Sequence, residues 1–334
     1  MQTRSNTMGQ MHYKTLGKTG IQVSELCFGT MSFGGRADKT TSKEMYQQCR
    51  DAGINFFDCA NVYQKGVAEE YLGEFIQEER HNVVITSKGG SLMADGPNGR
   101  GSSRKHLTQS LHDSLRRLRT DYLDVYFIHH YDPLTPMEEV LRTLDDFISQ
   151  GKVLSVGVSN FAAWQVARML GIGELKGLTS IHCLQPMYNI AKRQSEVELL
   201  PLAKAENLGV FSYSPLGGGL LTGRYGSDIK ASAGRLVENK TYQKRYDGEF
   251  YLHLATEFTR LAKERGVEPA SLAVAWVASN PAITAPILGA ANPSQLQSSL
   301  ASIDITIDEQ LKAEIDTISP PPPPATDRSE ETRA

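Results

Sequence analysis

Four ionisable side chains stand at or just after the ends of successive apolar segments of the chain: Asp58, Tyr63, Lys88 and His129. A carboxylate, a phenol, an ammonium and an imidazole that meet in one cleft could exchange protons with a bound molecule. Taken singly, each has a commoner structural explanation, such as a helix cap, a packing tyrosine, a solvated lysine or a buried histidine. The neighbouring His130 also leaves the choice of histidine open. The joint pattern is the stronger signal, because consecutive segments deliver all of these groups.

The apolar segments are typical of buried parallel strands, because most are rich in β-branched or aromatic residues. We predict eight strands, at 25–29, 55–58, 82–88, 124–129, 153–159, 181–185, 209–213 and 285–289. The amphipathic segments between them predict eight helices, at 42–52, 67–79, 103–118, 137–150, 161–171, 195–206, 249–265 and 293–301. This alternation predicts the α/β class and a closed (β/α)8 TIM barrel. Such barrels place their chemistry at the carboxyl ends of the strands, so the ionisable groups would share one rim.

Three segments lie outside this repeat. Residues 12–24 contain two short β-like runs around a Gly-Lys-Thr-Gly turn, which predicts an N-terminal β-hairpin that could close the lower end of the barrel. Residues 217–247 form a long connection after the seventh strand, which we interpret as a lid over a bound cofactor. From Ser319 the chain continues with five consecutive prolines and then mostly polar residues, so we expect a disordered C-terminal tail.

The length of 334 residues fits one barrel domain at 12–318, with flexible tails at 1–11 and 319–334. The formal net charge of −3 gives no electrostatic reason to expect nucleic acid or an anionic membrane as a partner. No apolar run is long enough to span a bilayer, and the N-terminus lacks the apolar core of a secretory signal. The four cysteines have no zinc-binding spacing, so we expect reduced thiols and a cytoplasmic protein.

The chain resembles the aldo-keto reductase superfamily, and its potassium-channel β-subunit-like branch more than its aldose-reductase branch. The resemblance runs from about residue 12 to 318 and rests chiefly on YKTLGKTGIQVSELCFGTMSFG (13–34), GINFFDCANVYQKGVAEEYLGEFI (53–76), DVYFIHH (124–130), GKVLSVGVSNF (151–161), GVFSYSPLGGGLLTGRY (209–225) and PILGAANPSQL (286–296). It implies that the catalytic tetrad of the family falls on Asp58, Tyr63, Lys88 and His129.

The resemblance implies a reaction in which hydride from a reduced nicotinamide attacks a carbonyl carbon. Tyr63 would be the general acid that gives a proton to the carbonyl oxygen. A free phenol has a pKa of about 10, so the Lys88 ammonium, held by Asp58, would help by stabilising the phenolate. His129 would donate a hydrogen bond to the substrate oxygen and orient it.

The resemblance also implies where a nicotinamide cofactor would bind. The expected contacts are Gly29, Thr30, Met31, Asp58, Ser159, Asn160, Gln185, Tyr213, Ser214, Pro215, Leu216, Gly218, Gly219, Arg224, Arg235, Gly289, Ala290, Ala291 and Gln295. Ser159, Asn160 and Gln185 would hold the carboxamide. Tyr213 would stack on the nicotinamide ring, and the glycines after it would let the backbone approach the pyrophosphate.

We expect NADPH as the cofactor, because Arg235 resembles an arginine that lies near the adenosine phosphate in this branch. NADH remains possible, since Ala291 stands where relatives commonly carry Ser, Arg or Lys. Ser298 and Ser299 likewise stand where relatives often have Glu-Asn. The chain has no GxGxxG motif that opens a βαβ unit, and this disfavours a Rossmann dehydrogenase.

The expected substrate is a small carbonyl compound, an aldehyde or an aromatic ketone, whose identity the residues do not specify. The residues expected to line its pocket are Met31, Phe33, Tyr63, His129 and His130, together with 90–101 and Tyr131.

Two other functions stay open. A regulatory, channel-subunit-like protein would bind the cofactor with low turnover, although those subunits tend to carry Asn where this chain has His129. A metal-dependent hydrolase would use His129, His130 and Asp132, but no second strand end adds a clear set of ligands, and we expect no metal. A monomer and a homo-oligomer are both compatible with the sequence.

Overall fold

Short strands form two sheets in the computed structural model, which describes residues 9–227, 232–328 and 330. The first sheet is an antiparallel hairpin of β1 (Tyr13–Thr15) and β2 (Gln22–Ser24). The second is a closed barrel of parallel strands: β3 (Cys27–Gly29), β4 (Phe56–Asp58), β5 (Val84–Gly89), β6 (Leu123–Ile128), β7 (Val153–Ser159), β8 (Cys183–Gln185), β9 (Gly209–Ser212) and β10 (Ala285–Leu288). Strand β10 pairs with both β9 and β3 and so closes the ring. The predicted (β/α)8 barrel and the N-terminal hairpin are therefore confirmed.

Helices cover the outside of the barrel. Those in the described part of the chain are α1 (Lys39–Asp51), α2 (Val67–Phe75), α3 (Arg104–Leu118), α4 (Met137–Ser149), α5 (Ala163–Lys176), α6 (Leu199–Ala205), α7 (Arg235–Glu238), α8 (Lys240–Arg245), α9 (Glu249–Glu264), α10 (Pro269–Ser279), α11 (Pro293–Leu300) and α12 (Glu309–Ile318). Among these described residues, no helix combines the length and the apolar character that crossing a bilayer requires.

The prediction of eight helices missed α7, α8, α10 and α12. Helix α10 was missed because it has no polar face: every residue from Pro269 to Val277 is buried. A helix that is apolar all round lacks the periodicity by which a surface helix is recognised. Helix α1 begins at Lys39, earlier than expected, because the side chain of Asp38 accepts a hydrogen bond from Thr41 N at 2.8 Å and caps it.

Aromatic and aliphatic side chains fill the lower part of the barrel. Phe56 and Phe127 pack against Phe211, with ring centroids 4.5 and 5.9 Å apart. The hairpin adds the fully buried Leu16 and Val23 to this cluster and so closes the amino-terminal end of the barrel. Each buried Phe or Leu contributes roughly 1.5–3 kcal/mol. The polar groups of the strands are thereby left to the opposite, carboxyl-terminal rim.

The packed part of the chain extends slightly into both predicted tails. Met11 is buried and packs in the main core. At the other end, Ser319 donates a hydrogen bond to the Ile190 carbonyl, and Arg193 donates to the Ser319 carbonyl. Within the predicted flexible ends at 1–11 and 319–334, residues 9–10 and 320–328 form no helix or strand. Residues 1–8, 329 and 331–334 of these ends lie outside the described part of the chain.

Candidate active site

A cavity of about 690 Å³ opens at the carboxyl-terminal rim of the barrel. It is lined by these residues from the predicted sets: Gly29, Met31, Asp58, Tyr63, His129, His130, Ser159, Asn160, Gln185, Tyr213, Ser214, Pro215, Leu216, Gly218, Gly219, Arg224, Arg235, Gly289, Ala290, Ala291 and Gln295. Lys88 lies directly beneath the surface of the cavity and is fully buried. The structure thus brings together side chains that lie more than two hundred residues apart in the chain.

A buried ion pair forms the floor of the cavity. Lys88 Nζ lies 2.6 Å from Asp58 Oδ2 and also donates to the Cys59 carbonyl at 2.6 Å. Burial is the largest single influence on the pKa of Lys88 and lowers it, but the charge and hydrogen bond of Asp58, together with Tyr63 and Cys59, raise that pKa above its usual value. Lys88 is therefore a permanent ammonium.

Neutral donors hold the other oxygen of Asp58. Thr86 Oγ1 donates to Asp58 Oδ1 at 2.7 Å, and Gln185 Nε2 donates to the same oxygen at 2.8 Å. A buried carboxylate needs such partners to be tolerated. Sequence reasoning did not include Thr86, although its position two residues before Lys88 on the same strand predicts that both side chains point into the barrel.

Tyr63 reaches the ion pair from the side. Its hydroxyl lies 3.4 Å from Lys88 Nζ, and the ammonium lies 5.0 Å from the centre of its ring. Burial raises the pKa of Tyr63, the charge of Lys88 opposes that rise, and the result is a pKa of about 12. The phenol therefore keeps its proton at neutral pH and can serve as a proton donor.

The backbone after Tyr63 forms an unusual turn. Gln64, Lys65 and Gly66 have φ values of 48°, 55° and 101°. A non-glycine residue in such a conformation costs about 1–3 kcal/mol. The turn bends the chain sharply into α2, whose first residue Val67 donates back to the Gln64 and Tyr63 carbonyls. This bend directs Tyr63 toward the barrel axis.

His129 faces Tyr63 across the cavity. The two ring centroids are 6.2 Å apart with planes at 80°, and His130 stacks on the outer side of His129 at 4.6 Å. Ser91 Oγ lies 3.1 Å from His129 Nδ1. Burial, followed by the charge of Lys88, lowers the pKa of His129 to about 2. When Ser91 Oγ donates to Nδ1, the neutral imidazole carries its proton on Nε2, which is then the hydrogen-bond donor of the ring. Both His129 and His130 line the cavity, and His129 is the one whose ring faces Tyr63.

We expect the free energy of unfolding to decrease as the pH falls below about 6.5, the ordinary pKa of histidine. His129 is neutral in the folded protein down to a pKa of about 2, so in this window the unfolded chain binds the extra proton. The folded state then loses at most about 1.4 kcal/mol per pH unit to this residue. Urea unfolding at pH 5, 6 and 7 measures the slope. His129→Asn should flatten it and the exposed control His12→Asn should not; equal slopes in wild type and His129→Asn would contradict the assignment.

Polar side chains from the ends of two strands, β7 and β9, form a hydrogen-bond network beside His129. Tyr213 Oη donates to Asn160 Oδ1 at 2.7 Å, while Asn160 Nδ2 donates to the His129 carbonyl and to Ser159 Oγ, both at 3.0 Å. Ser159 Oγ in turn donates to the Gln185 carbonyl at 3.0 Å. These bonds fix the orientation of an amide and a hydroxyl that border the cavity. Such groups could recognise a planar amide of a ligand.

A glycine-rich turn forms one wall of the cavity. Gly217, Gly218 and Gly219 have φ values of 60°, 69° and 106°, which glycine adopts without strain. At Gly218 space is also restricted, because a Cβ atom there would lie 2.4 Å from a ring carbon of Tyr242. The backbone of this turn is therefore accessible to a ligand on one side and packed against an aromatic ring on the other.

Arginines line the cavity near this turn. The guanidinium groups of Arg235 and Arg245 lie 5.5 and 4.9 Å from the ring centre of Tyr242. Within the described residues, neither of them nor Arg224 forms an ion pair with a carboxylate. Arg235 and Arg245 are half-buried and Arg224 is exposed. Cations at a cavity without a carboxylate partner form a site suited to an anionic ligand. Sequence reasoning identified Arg224 and Arg235 but missed Tyr242 and Arg245, whose only signal was their place in the long 217–247 segment.

The last loop of the barrel contributes a helix start. Gln295 Oε1 accepts from Ala291 N at 3.0 Å, and Asn292 Oδ1 caps α11 by accepting from Gln295 N at 3.0 Å. Ser298 lines the cavity, whereas Ser299 is buried on the other side of the helix. Ala291 itself offers only its backbone to a ligand.

The structure corrects several expected contacts. Phe33 is fully buried and packs on Phe28 and Phe75, at 5.7 and 6.0 Å, so the prediction that it lines the substrate pocket is wrong. Thr30 is also buried, and its hydroxyl donates to the Asp58 carbonyl at 3.1 Å instead of reaching the cavity. The short helical turn after β3 explains both, because it directs Met31 outward and its neighbours inward.

The loops after β5 and β6 are also displaced from the expected pocket. Tyr131 packs edge-on against Phe161 and Trp164, at 5.5 and 6.3 Å, and does not line the cavity. No residue of 90–101 lines it either. In the described part of the chain, no group of three or more His, Cys, Asp and Glu side chains is arranged to hold a metal ion.

Comparisons with known proteins agree with this architecture. The profile of the Aldo/keto reductase family matches residues 25–320. The chain is 39% identical over 305 residues to a probable voltage-gated potassium channel subunit beta of Arabidopsis thaliana, covering 88% of this chain and 92% of the relative. It is 35% identical over 323 residues to the uncharacterized oxidoreductase YrpG of Bacillus subtilis (strain 168), covering 93% and 97%. It is 33% identical over 306 residues to a putative voltage-gated potassium channel subunit beta of Schizosaccharomyces pombe, covering 87% and 88%.

Proposed function

Because the chain belongs to the aldo/keto reductase family, we propose that it is an NADPH-dependent reductase of aldehydes or ketones in which Tyr63 is the general acid. The observation that carries this proposal is the contact of a protonated phenol with a permanent ammonium, 3.4 Å between Tyr63 Oη and Lys88 Nζ, at the edge of a large cavity. Such a pair can give up a proton and stabilise the charge that remains.

The described residues fit a nicotinamide dinucleotide. The amide and hydroxyl groups of Ser159 and Asn160 suit the carboxamide, Tyr213 suits the ring, and the Gly217–Gly219 turn suits the pyrophosphate. The arginines without carboxylate partners suit the phosphates. When bound, the reduced cofactor supplies a hydride to the carbonyl carbon. The 217–247 segment contributes Arg235 and Arg245 to the wall of the cavity, which fits the role of a cover over this ligand.

Four residues of the chain would orient the substrate and supply the proton. His129 Nε2 donates a hydrogen bond to the carbonyl oxygen and holds it toward Tyr63. Tyr63 gives its proton to that oxygen as negative charge develops there. Lys88 stabilises the resulting phenolate, and Asp58 keeps Lys88 charged and in place. The low pKa of His129 keeps the imidazole neutral, which supports Tyr63 as the proton donor.

The proposal is tested with purified protein, NADPH and either 4-nitrobenzaldehyde or methylglyoxal, by following NADPH absorbance. We expect consumption that depends on the carbonyl compound and saturates with it. Cofactor binding without carbonyl-dependent consumption across a panel of aldehydes and ketones would instead favour the second function. That function is a cofactor-binding regulatory subunit, and it is favoured by the names of the relatives from Arabidopsis and Schizosaccharomyces.

Either role suits a cytoplasmic protein, since all four cysteines are free thiols.

Replacing Arg235 with Gln is expected to weaken NADPH binding by about 10- to 100-fold, the effect of losing a charge-assisted hydrogen bond of about 1.5–3 kcal/mol. NADH binding should weaken less if Arg235 contacts the additional phosphate of NADPH. Fluorescence titration gives both dissociation constants. The control is Arg142→Gln, which removes an exposed arginine of α4 that pairs with Glu138 outside the cavity. Wild-type protein that binds NADH as tightly as NADPH would contradict the stated preference.

A further inference from the structure

We propose that Glu69 and Arg117, which lie behind the candidate active site, position the turn that carries Tyr63. The proposal rests on the proposed function, because it concerns the proton donor of that reaction. Glu69 belongs to α2 and is fully buried, while Arg117 lies near the end of α3 with 14% of its side chain exposed. Arg117 Nε and Nη2 lie 2.7 and 2.6 Å from Glu69 Oε2. Neither residue touches the cavity, and the proposed mechanism does not use them.

Arg117 supports the turn directly. Gln64, Lys65 and Gly66 all have left-handed backbone conformations, a sequence of states that persists only when surrounding groups hold it. The side chain of Arg117 lies against Gly66 so closely that a Cβ atom there would be 2.7 Å from its Cδ and Nε. The guanidinium therefore packs under the last residue of the turn. Its own place is set by Glu69.

Glu69 also joins this turn to the strand that carries Lys88. Its Oε1 accepts a hydrogen bond from Ser87 Oγ at 2.5 Å. Ser87 precedes Lys88 on β5, and successive side chains of a strand point to opposite faces. Lys88 therefore points into the barrel while Ser87 points to the helix layer. One buried carboxylate thus connects the backbone of the proton donor with the backbone of the ammonium that assists it.

The link through Glu69 is important because the distance between Lys88 Nζ and Tyr63 Oη is long for a hydrogen bond. Lys88 Nζ is held at 2.6 Å by Asp58, but its distance to Tyr63 Oη is 3.4 Å, at the long limit of a hydrogen bond. A small displacement of the turn would therefore break the contact with Tyr63 while leaving the ion pair with Asp58 intact. Glu69 and Arg117 act as positioning residues for this single contact.

The test is Glu69→Gln, which keeps the shape of the side chain and removes its charge. We expect kcat to fall about tenfold, as for a catalytic group that is misplaced by a fraction of an ångström. The dissociation constant of NADPH and the substrate KM should stay within about twofold, since neither residue lines the cavity. Hydrogen exchange of the protein without cofactor, followed by mass spectrometry, should become faster in peptides that cover residues 62–67.

The matched control is Asp124→Asn. Asp124 forms a comparable buried ion pair with Arg80, at 10% and 14% side-chain exposure, and it lies at the opposite end of the barrel near the start of β6. We expect this variant to lower the melting temperature as Glu69→Gln does, while kcat and the exchange of residues 62–67 stay unchanged. An equal loss of kcat in both variants would overturn the proposal, because the loss would then follow from reduced stability alone.

Two further variants complete the test. Glu69→Gln combined with Arg117→Met removes the unpaired buried charge, and we expect it to recover stability but not kcat; recovery of both would overturn the proposal. Ser87→Ala removes only one hydrogen bond, and it replaces Glu69→Gln if that variant does not fold; unchanged kcat and unchanged exchange would then overturn the proposal. If wild-type protein consumes no NADPH, the proposed function fails, whereas the exchange comparison still decides whether Glu69 holds the turn.

Discussion

Replacing Tyr63 with Phe is expected to lower kcat about 1,000-fold, within the range of about 10²–10⁴ that general acid catalysis supplies. The variant keeps the ring, which lies 5.0 Å from Lys88 Nζ and 6.2 Å from His129, and removes only the hydroxyl. NADPH binding should change by less than about twofold, because the phenol acts only as charge develops on the substrate oxygen. Steady-state kinetics with 4-nitrobenzaldehyde and fluorescence titration with NADPH measure the two quantities.

The control for this variant is Tyr131→Phe. Tyr131 lies close to the site in the chain but packs against Phe161 and Trp164 outside the cavity, so its hydroxyl should contribute nothing to kcat. A Tyr63→Phe protein that retains more than about a tenth of the wild-type kcat would exclude Tyr63 as the proton donor. Another group of the cavity would then have to supply the proton.

Replacing Lys88 with Met is expected to lower kcat by about 10²–10³ and to destabilise the fold as well. The catalytic loss follows because Lys88 is the cation that opposes the effect of burial on the pKa of Tyr63, which is about 12 with Lys88 present and would rise further without it. The structural loss follows because Asp58 would remain buried without its ion partner. Breaking a buried pair in this way costs about 3–5 kcal/mol, although Thr86 and Gln185 still donate to Asp58.

Two measurements separate these effects. Urea unfolding gives the stability loss, and it should shrink when Asp58→Asn is added to Lys88→Met, because the uncompensated charge is then gone. The kcat of the double variant should remain as low as that of Lys88→Met. Lys192→Met is the control, since it removes a half-buried lysine that contacts Tyr251 at 2.5 Å outside the cavity. If the double variant regained wild-type kcat, the electrostatic role of Lys88 would be wrong.

The barrel and the order of its chemical groups could be predicted from local patterns in the sequence. Apolar runs of strand length alternate with amphipathic helices, and this period is a local property that each segment carries alone. A parallel barrel then brings every strand end to one rim, so the placement of Asp58, Lys88 and His129 follows from topology. The resemblance of the FFDCANVY run to a known family added the role of Tyr63, which periodicity could not supply.

The local sequence pattern did not predict the structure of segments that are buried on all sides. Helix α10 has no polar face, so its apolar sequence was compatible with a loop, a strand or a buried helix. Phe33 and Met31 stand two residues apart with similar apolar character, and only the helical turn between them directs one to the core and the other to the cavity. Phe33, for example, packs on Phe75, which lies 42 residues further along the chain.

The contacts that complete the candidate site also depend on tertiary packing, and the sequence pattern did not predict them. Tyr242 and Arg245 reach the cavity because a long connection folds back over the Gly218 turn, and no short pattern predicts that contact. Glu69 and Arg117 lie 48 residues apart on different helices and meet only when those helices pack. Sequence periodicity indicates which face of a helix or strand is buried. The residues that pack against that face depend on how the barrel closes. The ionisable groups of the candidate site could therefore be identified from the sequence. The contacts that orient these groups form only when distant segments pack together in the folded barrel.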